Sequence, residues 1–156
     1  MIGKKRKNKY IYPVTITKKV RITYNESPAH QGYLIHAVDF ITPINTPIKA
    51  ARSGVVVEVK SDSTIGGTTK NYDRFGNFIE LKHTNNEYSI YEHLRKNGSL
   101  VKVGDKVKTG QLIGYSGDTG WIANLGPHLH FNVHRYIGKS TSQYRSIKIL
   151  WKNSLK

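Results

Sequence analysis

Cysteine is absent from this chain of 156 residues. That excludes disulfides and every thiolate metal site, so a bound metal would have to be held by histidine, aspartate or glutamate. Acidic residues are scarce: 10 Asp and Glu stand against 25 Lys and Arg, a formal net charge of +15. A field of that sign favours anionic partners such as nucleic acid, an anionic lipid surface or an acidic wall polymer; the basic residues are also spread along the chain, where they serve solubility. No apolar run approaches the roughly 20 residues of a membrane-spanning helix. The opening MIGKKRKNKY carries charge with no apolar segment behind it, and does not read as a signal peptide. HExxH is missing too, which removes the helix-borne zinc-protease design with its glutamate base.

What the chain does contain is strand after strand. The length suits one domain with one core. IYPVTI and KKVRITY alternate near the start. Ser53 to Lys60 (SGVVVEVK), Asn77 to Lys82 (NFIELK) and Tyr88 to Leu94 (YSIYEHL) follow, then LIGYSG and HLHFNVHRY. Glycine-containing turns separate them, and SDSTIGGTTKNYDRFGN reads as a long loop. No amphipathic helix of ten residues stands out. The pattern predicts an all-β, mostly antiparallel, small sandwich or barrel-like domain with a groove. Residues 1–24 read as basic lead-in strands, 25–137 as the main domain, and 138–156 as a basic tail with one possible edge strand at Ile147 to Trp151.

The stretch GPHLHF, Gly126 to Phe131, concentrates the chemistry. Residues two apart on a strand share a face, so His128 and His130 sit side by side with Leu129 and Phe131 opposite. Two such imidazoles can bind a metal, catalyse, or simply lie on the surface, and the spacing does not choose. A hydrolytic zinc site needs three protein ligands and one open position, together with groups that handle protons. Seven histidines, at 30, 36, 83, 93, 128, 130 and 134, suffice for both tasks. Asp39, between Val38 and Phe40 in an apolar stretch, reads as a buried carboxylate in need of a cationic partner. His83, before the polar turn of KHTNNEY, and His134, further along the HxH strand, read as surface residues. Tyr91, two before His93, reads as sharing its face, where it hydrogen-bonds or packs.

Taken in order, HQGYLIHAVDF, YSIYEHL, VKVGDKVKTGQLIGYSGDTG and GPHLHF resemble the lysostaphin/LytM-type zinc endopeptidases of peptidoglycan. The likeness runs from about His30 to His134. It implies a domain of the LytM or duplicated-hybrid-motif type, with one Zn²⁺ per chain in a groove. It also implies that His130 and Asp39 are zinc ligands and that His93 and His128 are catalytic. Many members carry the first ligand four residues before the aspartate, where this chain has Ile35. His36, three before Asp39, points to the opposite face of a regular strand unless a bulge re-aims it. His30 lies nine before, across a glycine-containing turn, as in a subgroup of the family, and is the preferred ligand. The WIANL segment with Trp121 and the loop from Ser61 to Asn77 are expected to wall the groove and set substrate preference.

The resemblance thus implies a secreted or otherwise extracytoplasmic hydrolase, a monomer, acting on peptidoglycan peptides. Anionic wall polymers are possible further partners, and no module for specific nucleic-acid recognition is present. The competing reading is an inactive LytM-like module that binds the wall or activates another hydrolase.

Overall fold

The computed structural model of the protein describes residues 6–139 and 142–152; the remainder of the basic start and tail lies outside the described residues. Twelve strands appear among these residues. They are β1 (Arg21–Thr23), β2 (Val38–Ile41), β3 (Pro47–Lys49), β4 (Gly54–Lys60), β5 (Gly66–Gly67) and β6 (Asn77–Lys82), then β7 (Tyr88–Ser99), β8 (Lys106–Val107), β9 (Leu112–Ser116), β10 (Gly120–Trp121), β11 (His128–Tyr136) and β12 (Tyr144–Ile147). Helical structure among the described residues is limited to three short 3₁₀ segments, Gly32–Leu34, Lys70–Phe75 and Thr84–Asn86.

Ten strands form one sheet, whose main path runs β1-β2-β11-β7-β6-β4-β8. Every pairing within it is antiparallel. This is the all-β, antiparallel architecture that the strand pattern predicts. One edge of β11 is shared between two partners: His128 to Phe131 pair with β2, and Val133 to Tyr136 pair with β12. The other edge of β11 pairs with β7. Strand β11 is thus paired along both edges, and the side chains it presents are held at a fixed pitch.

Its alternation divides two environments. Leu129, Phe131 and Val133 enter the main core with Phe40, Tyr91 and Ile79. Burial of each such side chain contributes about 1.5–3 kcal/mol. His128, His130, Asn132 and His134 project to the opposite face, and they too are almost fully buried. A strand with polar groups along one buried face requires each group to find a partner there.

Three local readings of the sequence change. IYPVTI forms no ladder; Tyr10 and Val14 nevertheless enter the core, and Tyr10 makes one parallel bridge to Trp151. Pro13 interrupts the donors a strand would need there. The strand near the C-terminus is Tyr144–Ile147 rather than Ile147 to Trp151. The long loop after Lys60 contains β5, which pairs in parallel with β10, and the 3₁₀ segment Lys70–Phe75. That pairing ties the loop to the WIANL segment.

Candidate metal centre

Register brings the first two groups together. His130 on β11 lies directly opposite Asp39 on β2, so both project to one face. His30 reaches the same point from the turn before β2. Its Nε2 lies 3.1 Å from Asp39 Oδ2, while His130 Nδ1 lies 3.4 Å from Asp39 Oδ1. One donor atom from each of the three residues falls within 4.8 Å of the others. His36 is exposed, and its backbone N–H is taken by Ser146 Oγ. The structure therefore brings His30, and not His36, to Asp39.

The rings flanking this cluster come from two further elements. His93 would face the core on a regular β7, because its neighbour Glu92 pairs with His130. Instead it occupies a left-handed backbone conformation, φ = 70°, and the register against β6 slips at this point. The slip turns the ring toward β11, where its centroid lies 4.5 Å from that of His128 and 6.1 Å from that of His130. Tyr91 consequently does not share its face. It is fully buried in the core, its hydroxyl accepting from the Ala51 N–H.

The tautomer of each ring follows from its partner, since a carbonyl oxygen can only accept. His30 Nδ1 donates to Tyr24 O at 2.8 Å, His93 Nδ1 to Thr119 O at 2.7 Å and His128 Nδ1 to Gly126 O at 2.9 Å. Each neutral ring then carries its lone pair on Nε2. His128 Nε2 lies 3.7 Å from Asp39 Oδ1, so its lone pair sits next to the cluster.

Charge is distributed accordingly. Burial raises the Asp39 carboxyl, but the neighbouring His130 and His30 outweigh it and hold the group far below the usual carboxylate range. Burial lowers His130, yet Asp39 and then Glu92 carry it up to about 9. His93 is held well below its ordinary value by burial and by His128 and His130, and burial also lowers His128. Two imidazoles are thus neutral at physiological pH, beside one carboxylate that stays ionised.

A divalent cation fits this set. His30 Nε2 and both carboxylate oxygens of Asp39 are buried without a hydrogen-bond partner, an arrangement that costs heavily unless something else satisfies them. Zn–N and Zn–O bonds of about 2.0–2.2 Å put tetrahedral ligands roughly 3.3–3.5 Å apart. The observed separations of 3.1 and 3.4 Å, each to a different oxygen of Asp39, lie near that spacing. A second grouping, Glu92, His93 and His130, also lies within reach of one ion. It shares His130 with the first, and Glu92 Oε2 lies 3.9 Å from His130 Nε2, a nitrogen already occupied by Asn132 Oδ1 at 2.8 Å.

The cluster opens into a groove of about 210 Å³, lined among others by Tyr33, Lys70, Asp73 and Trp121. Both segments expected to wall it, the long loop and WIANL, do so. Two histidines behave differently from their sequence context. His83 is 6% exposed and His134 is 0% exposed, so neither is a surface residue. His83 folds under Ser53, its Nδ1 donating to Ser53 O at 2.8 Å and its Nε2 lying 2.8 Å from Ser89 Oγ. Sequence reasoning also passes over Glu92 and Asn132; the alternation that pairs His128 with His130 already puts Asn132 on the same face.

Comparison with known proteins points to one peptidase family. The family described as Peptidase family M23 matches residues 33–144. Peptidoglycan DD-endopeptidase ShyA of Vibrio cholerae is 38% identical over 128 residues, which is 78% of this chain and 26% of that protein. Lysostaphin of Staphylococcus simulans is 44% identical over 101 residues, 64% of this chain and 18% of that protein. The chain therefore spans only about a quarter or less of these relatives' length. Among solved structures, lysostaphin from Staphylococcus simulans superposes with a TM-score of 0.58 at 34% identity, covering 82% of this chain and 47% of the other. A point mutant of the catalytic domain of the prophage-encoded M23 protein EnpA from Enterococcus faecalis gives 0.61 at 27% identity, covering 88% and 94%.

Proposed function

Because the chain belongs to peptidase family M23, we propose that it is a zinc-dependent endopeptidase that hydrolyses peptide bonds of bacterial peptidoglycan, and that it acts outside the cytoplasm, where that polymer lies. The observation that carries the reading is the convergence of His30, Asp39 and His130 on one point, with buried atoms left unpartnered there. The relatives named as peptidoglycan and glycyl-glycine endopeptidases support the substrate class.

In this reading His30 Nε2, Asp39 and His130 Nδ1 hold Zn²⁺. When bound there, Zn²⁺ would supply Lewis acidity toward a water and the scissile carbonyl. The chain's own residues do the rest. His93 and His128, each with its Nδ1 proton committed to a backbone carbonyl, offer Nε2 lone pairs on the groove side of the cluster. One takes the proton of the attacking water, and a protonated ring returns it to the leaving amine. A protonated imidazole also donates to the oxyanion of the tetrahedral intermediate. Asp39 compensates the positive charge that develops, and the groove walls from Tyr33 and Trp121 seat an extended peptide. With the full donor set in place, no observation favours the inactive-module alternative.

The test is elemental analysis followed by digestion of purified peptidoglycan. One zinc per chain is expected, with release of wall peptides that stops on chelation and returns with Zn²⁺. His128→Ala should retain zinc and lose about 10²–10⁴-fold in turnover, whereas Asp39→Ala should lose the metal. Undiminished digestion by metal-free protein refutes the proposal.

A further inference from the structure

Behind the cluster, the same face of β11 continues as a polar row in which Asn132 and His134 are buried. His130 Nε2 lies 2.8 Å from Asn132 Oδ1, and Asn132 Nδ2 lies 2.9 Å from His134 Nδ1. His134 Nε2 in turn lies 3.7 Å from Glu80 Oε2, and the other Glu80 oxygen accepts from the Tyr136 hydroxyl at 2.6 Å. The His134 ring stacks on Tyr144 at 4.0 Å between centroids and on Tyr88 at 5.8 Å. It cannot swing away from Asn132 without disrupting those stacks. Asn132 and His134 are both fully buried, so water does not compete for these bonds.

A carboxamide is a directional coupler: its oxygen accepts and its nitrogen donates. With Oδ1 toward His130, the neutral ring must carry its proton on Nε2, which leaves Nδ1 as the lone pair available to a cation beside Asp39 and His30. With Nδ2 toward His134, that ring must accept at Nδ1 and keep its proton on Nε2, on the side of Glu80. The reverse amide orientation would present N–H to His130 Nε2 and force the neutral ring's proton onto Nδ1, closing the position a cation needs. From this geometry we infer that Asn132, backed by the stacked His134 ring, is a positioning device that locks His130 in its metal-accepting tautomer. The inference rests on the metal site proposed above. It concerns the ligand's orientation, not the substrate.

The device is tested without substrate. In metal-free wild-type protein, long-range ¹H–¹⁵N correlations of the histidine rings should show His134 protonated on Nε2 and bare on Nδ1. In Zn²⁺-loaded protein His130 should be protonated on Nε2. Asn132→Leu keeps the shape but accepts nothing, and its Zn²⁺ affinity in a chelator competition should fall about 10–100-fold. Asn132→Asp still accepts from His130 and should hold wild-type affinity or better, while the His134 proton moves to Nδ1, because a carboxylate has nothing to donate. Wild-type His134 protonated on Nδ1 overturns the inference. So does equal affinity in Asn132→Leu and wild type, or equal loss in the Leu and Asp variants. Should Asn132→Leu fail to fold, the wild-type ring spectra and Asn132→Asp still decide. Failure to digest peptidoglycan would refute the proposed function alone, since none of these readouts uses the wall.

Discussion

Lowering the pH should destabilise the protein through one histidine that takes no part in the proposed chemistry. His83 is buried, donates to Ser53 O through Nδ1 and meets Ser89 Oγ at Nε2. Burial lowers it from 6.5 to about 4, the bond to Ser53 only partly opposing that. The folded value is depressed, so the fold favours the neutral ring. Its contribution is fully present above the unfolded value of 6.5 and is lost as pH falls toward the folded value of about 4. Linkage between those two values gives about 2 kcal/mol lost by pH 5 and about 3 kcal/mol by pH 4. Other groups titrate in the same window, so the assay is a difference: urea unfolding of wild type and His83→Gln at pH 7 and pH 5. Glutamine offers a donor and an acceptor and does not titrate. The stability gap between the two proteins should shrink by about 2 kcal/mol on acidification. Parallel losses would refute the reasoning, and would mean that the ring is already protonated in the fold or reaches solvent.

Zinc itself should raise the melting temperature of wild type, by linkage worth about 4 kcal/mol at a thousandfold excess over Kd; Asp39→Asn, with one anionic donor lost, should show little of this shift in calorimetry. Gly120 has φ = +83°, and a Cβ there would lie 2.6 Å from Gly76 Cα and 3.3 Å from His93 Nδ1. Gly120→Ala should therefore cost about 1–3 kcal/mol in denaturant unfolding and lower turnover as the Thr119 carbonyl shifts from His93; unchanged stability and activity would show that the close approach is not needed.

The parts of the molecule legible in the sequence are those governed by period-two alternation. HLHF separates its histidines from its leucine and phenylalanine because both edges of β11 are paired, which keeps the pleat regular. Asp39 stands out for a similar reason, as a carboxylate inside an apolar run. Alternation fails where the backbone departs from the pleat. Tyr91 and His93 are two apart and yet face different ways, because the left-handed residue at 93 inserts a bulge that no local sequence feature announces. His83 reads as exposed from its polar turn with Asn85 and Asn86, and His134 from its place further along the HxH strand. Their rings nevertheless turn inward to partners 30 and 54 residues away in sequence, Ser53 and Glu80. Such long-range placement is a property of sheet order, which composition does not encode. The same is true of IYPVTI, whose apolar pattern marks burial correctly while Pro13 denies it a ladder.

The carbonyls of Thr119 and Gly126, which hold the His93 and His128 rings, bracket the segment that carries Trp121. The rings are fastened at the two ends, and the span between is tied to the long loop by the Trp121–Gly67 pairing and by the Ile122 N–H donating to Gly67 O. Exchanging the side chains of residues 121–125 while keeping the backbone pairing to Gly67 would recut the groove wall and leave the imidazoles on their anchors. Diversification of peptide preference could then proceed by swapping side chains in one short span, decoupled from the machinery beneath it.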